Sequence, residues 1–321
     1  MKEITEILRR EAARLLKEGI EFFIGYAAGS IPVSARPFFA ARPEEVDDLV
    51  FNTFCVHNLV KYLIRYPNKR VAVVVKGCDN GAVSRLVQER HLDRTKITVV
   101  GVPCGGMIDR NRVLAELPPA ARIEAVEDRQ NALVIRTGQG EHVFEKKLYV
   151  MAKCQVCAKN NPASVDIMLG KEAPPVADPE RDPFKEVKEI EALEAAGKAA
   201  YWERLIRRCL RCYACRQVCP ACSCTECSFE QAVPGWQQGA MWLTKAKTLP
   251  DNFHYHLIRA FHVAGRCAGC AECERVCPVG IPLMLLNNKL TKDIKELFGE
   301  APADACGVLC TYSPADPDEF A

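Results

Sequence analysis

The chain opens with Ile4, Ile7, Leu8, Ala12, Leu15 and Leu16 at three- and four-residue intervals among charged side chains. That spacing predicts an amphipathic helix over residues 3–18. From residue 71 the pattern changes to VAVVV, a short continuous apolar run, then KGCDNGAV, a helical stretch SRLVQERHL, a second run ITVVGV and the turn PCGGM. Strand, turn, helix, strand is a βαβ unit, which predicts a parallel sheet with ligands gathering beyond the carboxyl ends of its strands. Cys78 and Cys104 each fall just past one of those strands. Residues 132–136 (ALVIR) and 142–151 (HVFEKKLYVM) predict two more strands joined by a TGQGE turn, and KCQVC follows the second.

Around residues 171–184 prolines and charges accumulate without apolar periodicity, the composition of a linker. Beyond it KEVKEIEALEAAGKAAYWERLIRR, rich in Ala, Glu, Leu and Lys, predicts one helix running to Cys209, and FHYHLIRAFHVAG a second leading to Cys267. Residues 301–321 are small, acidic and Pro-bearing, and read as an extended arm. The expected order is an α/β N-terminal domain with a parallel-strand core (1–170), a linker and leading helix (171–200), an all-α domain (201–300) and a tail (301–321).

With 321 residues and 49% apolar content the chain can bury a core in each half, and a formal charge of +2 with scattered Lys and Arg lacks the basic footprint of a nucleic-acid binder. The N-terminus has no apolar signal-peptide core, and no apolar run approaches the roughly 18–20 residues of a membrane span. A soluble cytoplasmic protein is expected. In that reducing compartment the eighteen cysteines cannot be a disulfide framework, so metal ligation is the remaining explanation in bulk.

Thirteen of the eighteen fall between Cys209 and Cys310, which makes the second half chemically distinct from the first. Cys209, Cys212, Cys215 and Cys219-Pro220 have the spacing C-x2-C-x2-C-x3-C-P, and Cys267, Cys270, Cys273 and Cys277-Pro278 repeat it. Three thiolates so spaced serve one iron-sulfur cubane while the fourth ligates the other. The expected sets are therefore Cys209, Cys212, Cys215 and Cys277 on one 4Fe-4S cluster, and Cys267, Cys270, Cys273 and Cys219 on a second. Zinc ribbons would need paired C-x2-C motifs without the C-x3-C-P. Cys222, Cys224 and Cys227, with Cys306 or Cys310, would either complete an additional metal site or serve as reduced thiols shielding a cluster. His254, His256 and His262 read as hydrogen-bond donors around the clusters or as helix-surface residues. Each oxidised all-cysteine cubane carries about −2, a charge that Arg208, Arg211, Arg216, Arg266 and Arg275 would offset.

Between Cys219 and Cys267 lie 47 residues of helical character. With RCLRCYACRQVCP and GRCAGCAECERVCPVGI, this half resembles the α-helical two-cluster ferredoxin family found in heterodisulfide reductase small subunits and succinate dehydrogenase iron-sulfur subunits. The first half, through VAVVVKGCDNGAV, VVGVPCGGM and KCQVCAKNNPASVDIMLG, resembles the beta subunit family of coenzyme F420-reducing hydrogenases and F420-linked dehydrogenases. That resemblance implies a third 4Fe-4S cluster on Cys78, Cys104, Cys154 and Cys157 beside a flavin, although Gly77 stands where proline is common. FAD is expected on the resemblance alone, with Gly25, Gly29 and Ser30 as the candidate flavin region. Cys55, at helical spacing with Leu59, reads as core.

The expected function is an electron-transfer subunit of an anaerobic multi-subunit oxidoreductase of the hydrogenase, formate dehydrogenase or heterodisulfide reductase type, docked through the helical domain's exposed face and the tail. Whether the chain turns over a substrate by itself is left open. The alternatives are a self-sufficient flavin-dependent reductase or dehydrogenase acting on F420, NAD(P)H or ferredoxin, and a zinc-stapled scaffold.

Overall fold

Five strands, numbered along the chain, form the larger sheet of the computed structural model, which describes residues 2–176, 180–225, 227 and 248–299. They are β1 (Phe22–Ala28), β2 (Ala35–Ala40), β3 (Val71–Val75), β4 (Ile97–Gly101) and the short β8 (Ile167–Met168), in the order β2-β1-β3-β4-β8. β3 lies parallel to both β1 and β4, β8 is parallel to β4, and only the edge strand β2 runs antiparallel. A smaller antiparallel meander holds β5 (Ile123–Asp128), β6 (Ala132–Thr137) and β7 (Gly140–Glu145). All five residues of β3 are buried, as expected for a central parallel strand covered on both faces. The chain divides into two compact units, one built from residues up to 83 and 90–181, the other from 84–89 and the residues from 182 onward.

In the first unit α1 (Lys2–Lys17) appears where the periodicity placed it and buries Leu8, Ala12, Leu15 and Leu16. Helix α2 (Gly77–Gln88) connects β3 to β4, so the βαβ unit stands. It begins seven residues earlier than the sequence suggested, because KGCDNGAV is its first turns rather than a loop. The Lys76 carbonyl accepts the amides of Asp79 and Asn80 at 2.9 and 3.1 Å, and the Asp79 carboxylate accepts the Lys76 amide at 3.3 Å. α3 (Arg110–Glu116), α4 (Lys146–Tyr149) and α5 (Ala152–Gln155) complete this unit. HVFEKKLYVM is strand only as far as Glu145, since Lys146 pairs with Asp128 and Tyr149 turns back edge-on to Phe144 at 5.2 Å. β1, β2, β5 and β8 were not foreseen: β1 carries a glycine, β2 a proline that its edge position tolerates, and β5 alternates charges.

The second unit is helical: α6 (Lys185–Glu191), α7 (Ala195–Ile206), α8 (Ala214–Gln217), α9 (Leu249–Val263), α10 (Glu272–Arg275) and α11 (Leu283–Phe298). The single helix expected before Cys209 is two. α6 packs against α11 while α7 packs against α9, and a straight rod from 185 to 208 would not serve both faces. The Ala192 amide closes α6 on the carbonyls of Lys188 and Ile190. Among the described residues no helix is long and apolar enough to cross a membrane.

Lys76, at the end of β3, is wholly buried, and its ammonium lies 2.7 Å from the equally buried Asp79 carboxylate. It also donates to Tyr26 Oη at 2.5 Å and to the His57 carbonyl at 2.8 Å. Burial alone would lower the lysine pKa; Asp79, first among the opposing charges, reverses that and holds it well above the ordinary value. Replacing one partner leaves the other charge stranded, so Lys76→Met is expected to cost about 3–5 kcal/mol. Lys76→Met/Asp79→Leu should recover part of the loss, both read from anaerobic urea unfolding midpoints.

Candidate metal centres

The two repeated cysteine loops of the second unit fold alike. In each, the residues flanking the second cysteine take left-handed backbone conformations: Arg211 and Tyr213 at φ 52° and 59°, Gly269 and Ala271 at φ 72° and 53°. A one-turn helix follows, α8 holding Cys215 and α10 holding Cys273. The reversal aims main-chain N–H groups at sulfur. The Arg211 amide donates to Cys209 Sγ at 3.3 Å and the Ile281 amide to Cys277 Sγ at 3.3 Å, while amides of Gly269 and Ala221 serve Cys267 and Cys219.

Cys277, from the second loop, lines one cavity with Cys209, Cys212 and Cys215 from the first. Tyr213, Tyr255, His256, Ile281 and Leu283 complete its wall, and Tyr255 Oη lies 3.2 Å from Cys215 Sγ. The remaining four cysteines also gather, since Cys273 lies within electrostatic reach of Cys219, Cys267 and Cys270. Asn287 Nδ2 stands 3.7 Å from Cys273 Sγ.

In the first unit four cysteines collect at the carboxyl edge of the parallel sheet. Cys78 lies in the first turn of α2, Cys104 three residues beyond β4, and Cys154 on α5 with Cys157 just after it. The chain following Cys157 folds back across both strand ends: the Asn160 carbonyl accepts the Cys104 amide at 3.0 Å, and the Lys159 carbonyl sits 1.6 Å from where a Cβ on Gly77 would stand. Gly77 is therefore a packing requirement. Met107 N–H points to Cys154 Sγ at 3.5 Å, and the thiol of Cys104 feels those of Cys154 and Cys78. Asn160 and Asn161, which the sequence did not single out, pin this return by bonding Ala173 and Pro174 at 2.7–3.0 Å.

Burial pushes the thiols of Cys104 and Cys267 up to about 11, and those of Cys78 and Cys273 well above the ordinary value. Cys219 goes the other way, to about 5, through the hydrogen bond from Cys222 and against its own burial. Most of these sulfurs become anionic only if a cation compensates them. Among the described residues no three His, Cys, Asp or Glu side chains close tightly enough around a point to hold a single metal ion. A cubane asks for a different arrangement, one thiolate at each of four iron corners. All-thiol donor sets and amides aimed at sulfur fit iron-sulfur clusters.

The other candidates separate. Cys222 lies against Cys219, while Cys227 packs against the core formed by Cys215, Tyr255, Cys273, Ile281 and Leu283. Cys224 is exposed, and Cys306 and Cys310 lie outside the described residues, as does the tail. Cys55 is fully buried, with burial pushing its thiol up to about 12. Of the three histidines His256 alone is buried, and neither ring nitrogen has a hydrogen-bond partner among the described residues. The amide of Gly29 is bonded to the Ser34 carbonyl at 2.9 Å, Gly25 sits mid-strand opposite Phe38, and Ser30 is exposed in the same β-hairpin.

Residues 68–184 match the family described as the C terminus of the coenzyme F420 hydrogenase/dehydrogenase beta subunit, and residues 205–281 match the 4Fe-4S dicluster domain. The F420-dependent formate dehydrogenase subunit beta of Methanocaldococcus jannaschii is 24% identical over 83% of each chain. The F420-dependent formate dehydrogenase 1 subunit beta of Methanococcus maripaludis is 22% identical over 89% of this chain and 84% of its own. A chain of the F420-reducing [NiFe] hydrogenase complex from Methanosarcina barkeri superposes with TM-score 0.37 at 17% identity, over 50% of this chain and 63% of that one. The chain thus carries, in order, a segment similar to the C terminus of the coenzyme F420 hydrogenase/dehydrogenase beta subunit and a segment similar to the 4Fe-4S dicluster domain.

Proposed function

We propose that this chain is the iron-sulfur electron-transfer subunit of a multi-subunit oxidoreductase of the hydrogenase or formate dehydrogenase type, with three 4Fe-4S clusters. Cys209, Cys212, Cys215 and Cys277 hold one, Cys267, Cys270, Cys273 and Cys219 the second, and Cys78, Cys104, Cys154 and Cys157 the third. The observation that carries the reading is the cavity where Cys277 joins the three cysteines of the other loop, because this exchange of fourth ligands is the signature of a two-cluster domain. Bound at these sites, such clusters exchange single electrons. The protein's own part is to bury the sulfurs, to aim amides and Tyr255 at them, and to exclude water with Ile281 and Leu283, which together set the potentials.

Two proteins named as beta subunits of F420-dependent formate dehydrogenase are similar along most of their length, which supports a beta-subunit role beside a catalytic partner. FAD rests on the family resemblance, and no electron step is routed through it. An acid extract of anaerobically purified protein with FAD absorbance would keep the flavin in the reading; an extract without it removes the flavin from the reading.

The anaerobic holoprotein should carry about twelve irons, four per cubane. Cys104→Ser is expected to lose about four of these, with the second-unit cluster signals intact, and Cys273→Ser should lose a different set of about four. Iron analysis with low-temperature EPR reads both. A folded wild-type chain with fewer than about eight irons sinks the two-cluster assignment in the second unit. Steady-state oxidation of F420 or NAD(P)H by the chain alone, with a dye acceptor, would replace the relay by a self-sufficient reductase.

A further inference from the structure

Arg259 lies in the middle of α9 and is 4% exposed. Its Nη2 donates to the Cys215 carbonyl at 3.2 Å, which ties it to the first cysteine loop. Its Nε–H has no hydrogen-bond partner, and no Asp or Glu pairs with it, among the described residues. The surrounding arginines are differently placed. Arg275 is paired with Glu272 and Arg266 with Glu89, Arg216 bonds the Cys224 carbonyl, and Arg211 bonds the Asp251 carbonyl and Tyr213.

The groups whose charge acts on Arg259 are Cys219, Cys273, Cys215 and Cys222, and they come from both loops. Burial works against the guanidinium there and the sulfurs more than reverse it. A buried cation without a carboxylate is expensive unless another anion compensates it. Two oxidised all-cysteine cubanes, each about −2, are such anions.

We propose that Arg259 is a positioning residue shared by the two second-unit clusters: its guanidinium supplies their buried counter-charge, with the unpartnered Nε–H available to sulfur, and raises both reduction potentials. This rests on the cluster assignment of the proposed function. Reduction adds negative charge to a cluster, so a fixed neighbouring cation favours the reduced form and its removal moves the midpoint to more negative potential.

The test is an EPR-monitored redox titration of the full-length holoprotein, alongside iron analysis, for wild type, Arg259→Gln and Arg259→Lys. Arg259→Gln should shift both second-unit midpoints negative while the first-unit midpoint stays in place, and Arg259→Lys, which keeps the charge, should shift them less. Loss of iron in Arg259→Gln but not in Arg259→Lys also supports the proposal, because charge is what separates the two. Arg259→Gln with full iron and second-unit midpoints unchanged or more positive overturns it. Iron loss in both variants marks a packing role and overturns it as well. A wild-type protein lacking the two second-unit signals fails the cluster assignment itself, and the role of Arg259 falls with it.

Discussion

The structure depends on how sulfur is kept from water. A buried thiol resists ionisation, and the sites here bury most of theirs deeply enough to push them upward, Cys104 and Cys267 to about 11. Such sulfurs become charged ligands only when a cation arrives, and the protein has prepared for that charge. Amides are turned onto Cys209, Cys219, Cys267 and Cys277, Tyr255 stands at Cys215, and Met107 N–H faces Cys154. Each such N–H or O–H favours the thiolate over the thiol.

The two units reach this by different routes. In the second unit the proposed ligands are local in sequence, and the repeated spacing nearly dictates the loop; only the proposed exchange of Cys219 and Cys277 requires tertiary structure. In the first unit the proposed ligands are spread over eighty residues, and a parallel sheet brings them together. β3 and β4 deliver Cys78 and Cys104 to one edge, and the chain after Cys157 crosses back to meet them through Asn160 and the Gly77 gap.

This difference decides what was legible in the sequence. The eight second-unit cysteines could be grouped from spacing alone, and VAVVV and ITVVGV announced the βαβ unit. The return loop could not be read, because Asn160 and Asn161 act through backbone carbonyls of Ala173 and Pro174 that carry no pattern. β1 and β2 were hidden by Gly25 and Pro37, which read as loop residues yet sit in a buried strand and an edge strand. The glycines that suggested a flavin are explained by the hairpin itself: a Cβ on Gly25 would stand 2.6 Å from Leu49, and one on Gly29 2.0 Å from Ser34 Oγ. Arg259 escaped notice because burial without a carboxylate is visible only once α9 is packed.

The second-unit loops also carry a cost that their own contacts do not offset. Arg211, Tyr213 and Ala271 hold left-handed backbone conformations that favour glycine, of order 1–3 kcal/mol each. A loop selected only for stability would place glycine there, as Gly269 does in one of the four positions. The side chains at the other three have contacts of their own: Tyr213 meets Tyr255 edge-on at 5.4 Å, Arg211 lies over the Tyr255 ring, and Ala271 is buried. Strain in the backbone is thus exchanged for a wall around the cavity. Given buried thiols, strained loops and a buried Arg259 with no carboxylate partner among the described residues, inserting clusters at these sites would become part of the unit's folding free energy.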